Sequence, residues 1–233
     1  MPELKDKRTL VVYADDVKGK RIDAYYYQPK FKEIEKALER GRYKLVKIKD
    51  VLEYIKKGIE VGSNAYVSDG IPFVRVSDIN NYKIKYEKTE KKVNREFYEK
   101  LKINYQPKKG ELLFSKDGTI GFCVVVEKEK DFIISGGLLR LKVKKDINNY
   151  YIKSVLSNPT FKILFERESI GAIIKHLRPE KFLNLKIPLP PLSVQNKIAE
   201  EVKRRMQKAE QLQKEAKEEL EKAKKEVERI ILG

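Results

Sequence analysis

The chain has 233 residues, with 52 Lys and Arg against 35 Asp and Glu, a formal charge of +17 at pH 7. Hydrophobic residues at 41% set it apart from disordered chains, and its one cysteine, Cys123, excludes an internal disulfide framework. No apolar run reaches the roughly 18 residues of a membrane span and the opening stretch lacks a signal-peptide layout, so a soluble, cytoplasmic protein with no membrane partner is expected.

In chain order, Thr9 to Tyr13 is a short β-rich run, ended by Asp15-Asp16 and Gly19. Arg21 to Pro29 is an extended aromatic segment whose Tyr25-Tyr26-Tyr27 would suit a stacking platform but is expected to pack against the C-terminal helix described below. The spacing of Phe31, Ile34, Ala37 and Leu38 predicts a helix over 29–40, stopped by Gly41. Leu45 to Ile48 suggests a strand, and Val51 to Lys57 a helical turn closed by Gly58. From there to Val143 the pattern is strands and loops. Ile71 to Val76, Glu111 to Phe114, Gly121 to Val126, Phe132 to Ile134 and Leu138 to Val143 are β-rich, and residues 87–102 are helical in part. Asp117-Gly118 marks a hairpin or tight loop between the second and third runs. Tyr150 to Arg167 is helical, interrupted at Asn158-Pro159, and Ser169 to Arg178 is a loop. Ile187-Pro188-Leu189-Pro190-Pro191-Leu192 is a stiff extended connector.

The chain ends in a long helix. Val194, Ile198, Val202, Met206, Ala209, Leu212, Ala216, Leu220, Ala223, Val227 and Ile230 form one apolar stripe with a mean step of about 3.6 residues. Ser193 is the expected N-cap, and Glu200/Arg204, Glu201/Arg205, Glu210/Lys214, Glu218/Lys222 and Glu221/Lys225 are the expected ion pairs. At about 1.5 Å per residue the helix is too long for a small body to cover, so its stripe calls for another long helix. Residues 193–233 hold 11 basic and 9 acidic residues, leaving 41 against 26 on residues 1–192. The arm is balanced and the head carries the basic field, which suits a polyphosphate partner, most simply nucleic acid. The fold expected is therefore α+β: a mixed α/β head over 1–192 and a coiled-coil arm over 193–233.

Catalytic constellations are missing. There is neither a Walker loop nor a dinucleotide fingerprint, and one His and one Cys far apart make no metal site. Asn158-Pro159-Thr160-Phe161 resembles the loop of adenine amino-methyltransferases, yet Asn-Pro is also an ordinary helix start, and no cofactor loop precedes it. Cys123 reads as a core residue. The loops are better binding features. Ser63 and Asn64, Ser77 and Asp78, Lys116, Asp117, Gly118 and Thr119, and Lys175, His176 and Arg178 combine basic, hydroxyl and flexible residues that can meet phosphates and base edges, although the glycines also serve plain turn geometry and His176 reads more readily as a partly exposed structural histidine.

Four stretches together resemble the specificity subunits of type I restriction-modification systems. They are Arg21 to Pro29, Ile71-Pro72-Phe73-Val74-Arg75-Val76-Ser77-Asp78-Ile79, Gly110 to Gly121, and Leu185-Lys186-Ile187-Pro188-Leu189-Pro190-Pro191-Leu192-Ser193-Val194-Gln195-Asn196-Lys197-Ile198. The resemblance implies a non-catalytic subunit whose target recognition domain reads half of a split sequence in double-stranded DNA. It implies that the long helix docks modification (methyltransferase) subunits, which carry the S-adenosylmethionine, and that a restriction/motor subunit joins for cleavage. The usual family member has two such domains and two long helices, and this chain has one of each. A homodimer of antiparallel helices reading an interrupted palindrome is the expectation. The alternatives are a stand-alone DNA-binding regulator or decoy, and a specificity module for a fused restriction-methyltransferase.

Overall fold

The computed structural model describes residues 11–19, 21–80, 83–171 and 173–233. A single turn of helix, α1 (Ala14–Val17), precedes α2 (Pro29–Glu39), β1 (Leu45–Lys47), α3 (Ile48–Val51) and β2 (Leu52–Lys57). The middle of the chain supplies β3 (Ile71–Val74), β4 (Ile79–Asn80), β5 (Lys83–Ile84), β6 (Lys92–Val93) and α4 (Arg95–Tyr105). Then follow β7 (Leu112–Ser115), β8 (Cys123–Val125), β9 (Ile133–Ile134), β10 (Leu138–Val143), α5 (Asn149–Leu156), α6 (Pro159–Glu168) and α7 (Pro179–Asn184). β11 (Lys186–Pro188) leads into α8 (Leu192–Leu232), 41 residues and about 60 Å long. The architecture is mixed α/β with a long C-terminal helix.

The central sheet runs β2-β10-β7-β8 with every pairing antiparallel. Its two middle strands are rich in apolar residues because both faces are largely buried, and period-two alternation divides those side chains between two cores. Leu112, Phe114, Leu139, Leu141 and Val143 join α2, α5, α6 and α7 in the main core, while Leu113 and Leu138 face a second core with Val74, Val126 and Ile134. Phe114, Phe165 and Phe182 stack at the centre of the first, with ring centroids 4.6 to 5.9 Å apart. Arg140 sits in β10 among these apolar residues and is 5% exposed. Its Nε lies 2.9 Å from Glu111 Oε2, its Nη1 donates to the carbonyls of Asn104 and Gln106, and Tyr54 donates its hydroxyl to Glu111. Such a buried charge survives only with its partners in place.

A smaller sheet, β6-β3-β9, pairs β3 antiparallel with β6 and parallel with β9. β9 and β10 thus belong to different sheets, and Ser135-Gly136-Gly137 is the crossing between them. β1 and β11 pair as a clasp, with Leu45 opposite Pro188, so the chain returns to its early residues just before α8 begins. The proline connector is extended, as its residues require.

Four sequence expectations change. Residues 52–57 form a strand along β10, and the helical turn falls one step earlier, at Ile48–Val51, where Asp50 accepts the Lys47 amide. Apolar periodicity over so few residues does not separate the two states, and the open edge of β10 decides it. The long helix begins at Leu192, with Pro191 at the N-cap and no side-chain cap, so Ser193 lies inside the first turn. Tyr25 meets Phe31 edge-on at 5.4 Å, and the Arg167 guanidinium lies 5.2 Å from the Tyr26 ring, so among the described residues the ring contacts of these tyrosines are with α2 and α6 rather than α8. Asn158 accepts the Thr160 amide at 2.9 Å, the ordinary cap of a helix start. Of the Thr9–Tyr13 run, Thr9 and Leu10 lie outside the described residues and Val11 to Tyr13 is not a strand.

Candidate nucleic-acid interface

The loops 116–122 and 169–178, far apart in sequence, are zipped together by backbone hydrogen bonds. The Gly118 amide donates to the Lys175 carbonyl at 2.9 Å and the Leu177 amide to the Lys116 carbonyl at 2.8 Å, an antiparallel bridge of Asp117 with His176. Ile170 and His176 exchange two further bonds of 2.9 and 2.7 Å, closing the second loop on itself. The first is closed by Ser115, whose hydroxyl donates to the Thr119 carbonyl and accepts the Phe122 amide. Gly118, at φ +65°, occupies a left-handed conformation that a side chain would strain. Leu177, 1% exposed, anchors the pair in the core.

Side chains complete the joint. Asp117 Oδ1 lies 3.0 Å from His176 Nδ1, and Asp117 Oδ2 lies 2.5 Å from Lys116 Nζ. Lys116 is buried, so it holds Asp117 in place rather than reaching outward, which departs from its expected role as a DNA contact. Asp78 departs in the same way. It is 5% exposed and accepts the Arg75 amide at 2.8 Å, closing its own turn. What remains on the surface is Thr119, Gly118, His176 and Arg178, with Lys175 half-buried 3.9 Å from Glu166. Arg178 makes no ion pair among the described residues.

Ser77 is exposed beside this joint. Gly137 fills the space between: a Cβ there would come within 3.2 Å of Val76 Cγ2 and 3.7 Å of Asp117 Cβ. Three turns from three parts of the chain therefore meet on one rim. Ser63 and Asn64 form a separate exposed helical turn, with no hydrogen bond to that rim among the described residues. Sequence reasoning passed over Ile173 and Ile174, 98% and 57% exposed at the tip of the second loop. Two isoleucines between Gly171 and Lys175, with no strand to join, were the available signal.

The eleven stripe residues on α8 divide in two, with Val194 half-buried at the start. Val202 and Met206 are half-buried where α8 crosses α5, and Ala199 beside them is 7% exposed. Gln195, 2% exposed, pins this end: its Nε2 donates to the Pro190 carbonyl at 2.8 Å and its Oε1 accepts the Asn148 amide at 3.0 Å. Ile198 is 36% exposed, and Ala209, Leu212, Ala216, Leu220, Ala223, Val227 and Ile230 lie bare, Leu220 at 64% and Ile230 at 72%. Of the expected ion pairs along the helix, Glu201/Arg205 forms, at 2.6 Å, whereas Glu210 turns to Lys83 of the body at 2.7 Å.

Residues 41–222 match the family described as the type I restriction modification DNA specificity domain. The chain belongs to this family. Among curated relatives of this specificity-domain chain, the protein named as the type I restriction enzyme MjaX specificity subunit of Methanocaldococcus jannaschii is 28% identical over 75% of this chain and 42% of its own length. A specificity subunit so named in Haemophilus influenzae is 26% identical over 70% of this chain and 43% of its own. The chain thus spans less than half of the curated relatives it matches. The crystal structure of the HsdS subunit from Thermoanaerobacter tengcongensis has the same fold, with a TM-score of 0.51 at 17% identity over 77% of this chain and 44% of that one. No helix among the described residues is long and apolar enough to cross a membrane.

Proposed function

We propose that the specificity-domain chain reads one half of a bipartite sequence in double-stranded DNA for a type I restriction-modification complex, and that it does no chemistry itself. The division into a reading head, 1–192, and a spacer arm, 193–233, is part of this reading. The observation that carries it is the rim where the Ser77, Thr119 and His176–Arg178 turns meet, on a head with 41 basic against 26 acidic residues. Exposed hydroxyl and imidazole groups there suit base edges, and Lys175 and Arg178 suit phosphates. The arm docks modification subunits that carry S-adenosylmethionine and the adenine methylation, with a restriction/motor subunit joining them. Its bare stripe pairs antiparallel with a second copy of this chain, which sets two identical heads apart and makes the target an interrupted palindrome.

Selection of full-chain protein against a randomised duplex library tests this. The expected result is enrichment of one short motif in inverted copies at constant spacing, and absence of enrichment overturns the reading. Lys175→Ala and Arg178→Ala should weaken binding to all duplexes alike and each lower the salt slope by about 1, whereas Thr119→Ala should alter base preference.

A further inference from the structure

The tip of the second loop carries side chains that the polar rim does not account for. Ile170 and His176 close the loop by exchanging backbone hydrogen bonds of 2.9 and 2.7 Å, and the Gly118 amide ties the Lys175 carbonyl to the neighbouring loop. Gly171 makes the turn at φ +104°, where any side chain would be strained and a Cβ would collide with the Ile174 carbonyl. The backbone on either side of Ile173 and Ile174 is therefore held, and both side chains are branched at Cβ, which limits their own rotation. Yet little of them is covered: Ile173 is 98% exposed, Ile174 57% and Ile170 37%. The loop's anchor in the core is Leu177 instead. Folding gains nothing from an isoleucine left in water, and a serine or asparagine would suit so tight a turn better. Three isoleucines on one loop form a patch, not a scattered surface residue.

We infer that Ile173 packs against the C5-methyl group of a thymine in the half-site. The inference rests on the DNA-reading function proposed above and adds a hydrophobic contact to its polar rim. In the major groove the base pairs present donors, acceptors and one apolar group, the thymine methyl. An apolar tip set beside hydroxyl and basic groups has that methyl as its match. The surroundings suit entry into a groove. Lys175 and Arg178 follow the tip in the same loop and can hold neighbouring phosphates, while Glu166, 3.9 Å from Lys175 Nζ, has its charge offset by that pairing. A protein partner would ask for about 800 Å² of continuous surface on this side, far more than one loop tip offers, and the Thr119, His176 and Arg178 side chains that share the rim are polar.

The test uses the full chain and the motif from the library selection, with each thymine of the half-site replaced in turn by deoxyuridine, which removes only the methyl group. The expected result is one position at which wild-type binding falls about fourfold, as burial of a single methyl group would give. Ile173→Ala should bind thymine and deoxyuridine equally at that position, and Ile173→Val should keep most of the difference. Because the side chain is exposed, both variants should keep the wild-type thermal melt. A half-site without thymine, or one in which no deoxyuridine weakens binding, would overturn the inference. So would a methyl effect that persists in Ile173→Ala, which would assign the methyl to another side chain. Ile173→Ala that weakens all duplexes alike would make the tip a sequence-blind contact, and one that changes neither affinity nor motif would place the tip against something other than DNA; either result overturns the inference. Absence of any enriched motif would instead remove the DNA-reading function itself, and this inference with it.

Discussion

The two ends of α8 obey the same helical pattern and meet opposite fates. At its base, Gln195, Ala199, Val202 and Met206 bury against α5, with polar atoms paired and small side chains where the helices cross. Beyond Glu210 every residue is exposed, yet Leu212, Leu220, Val227 and Ile230 continue the same stripe and stay exposed among the described residues. A helix of Lys, Glu, Ala and Leu needs no tertiary contact for its local propensity, so folding of the body does not require the stripe this far out, and the pairing proposed above gives it a use. The base belongs to the body's stability, and the proposal gives the distal half to assembly.

That contrast can be broken most sharply in the body. Glu111→Ala would strand the buried Arg140 guanidinium and should cost about 3–5 kcal/mol in urea unfolding. Gln195→Ala should cost about 1–3 kcal/mol by the same measurement, because the Asn148 amide and the Pro190 carbonyl lose their partner. Leu220→Lys lies on the bare stripe and should leave the body's unfolding within about 0.5 kcal/mol of wild type. If Leu220→Lys destabilised the body as Gln195→Ala does, the proposed division of α8 would be wrong. A fourth outcome is kinetic. Burial pushes the Cys123 thiol up to about 12, so it carries essentially no thiolate at neutral pH and should be alkylated only as fast as the body opens. Alkylation at the rate of a free thiol would mean that the β7–β8 region is far looser than its packing.

Much of this fold was legible because burial writes itself into strands. Leu112 to Phe114 is apolar on both faces, as a doubly covered sheet needs, and Leu139, Leu141 and Val143 make one face of β10 apolar. The arm was legible for the opposite reason, a period sustained over many turns. Leu52 to Lys57 was not, because a short mixed segment takes its state from the strand beside it. At the candidate interface, the glycines and polar residues marked each loop as a loop. Their union through Asp117 and His176 spans 59 residues and depends on the whole core being assembled, which no local pattern carries. The inward turn of Lys116 was hidden for a simpler reason: lysine is almost always solvated, and only its carboxylate partner makes the exception. Gln195 looked like one more polar helix residue for the same reason, until α5 closed over it.

The most direct measurement of the central claim is the solution mass of the full chain, by light scattering behind gel filtration. The account expects a mass twice that of the 27.3 kDa chain, falling to the single-chain value when Leu212 and Leu220 are both replaced by lysine. A wild-type chain that stays at the single-chain mass at micromolar concentration would contradict pairing between copies and leave the stripe to a different protein.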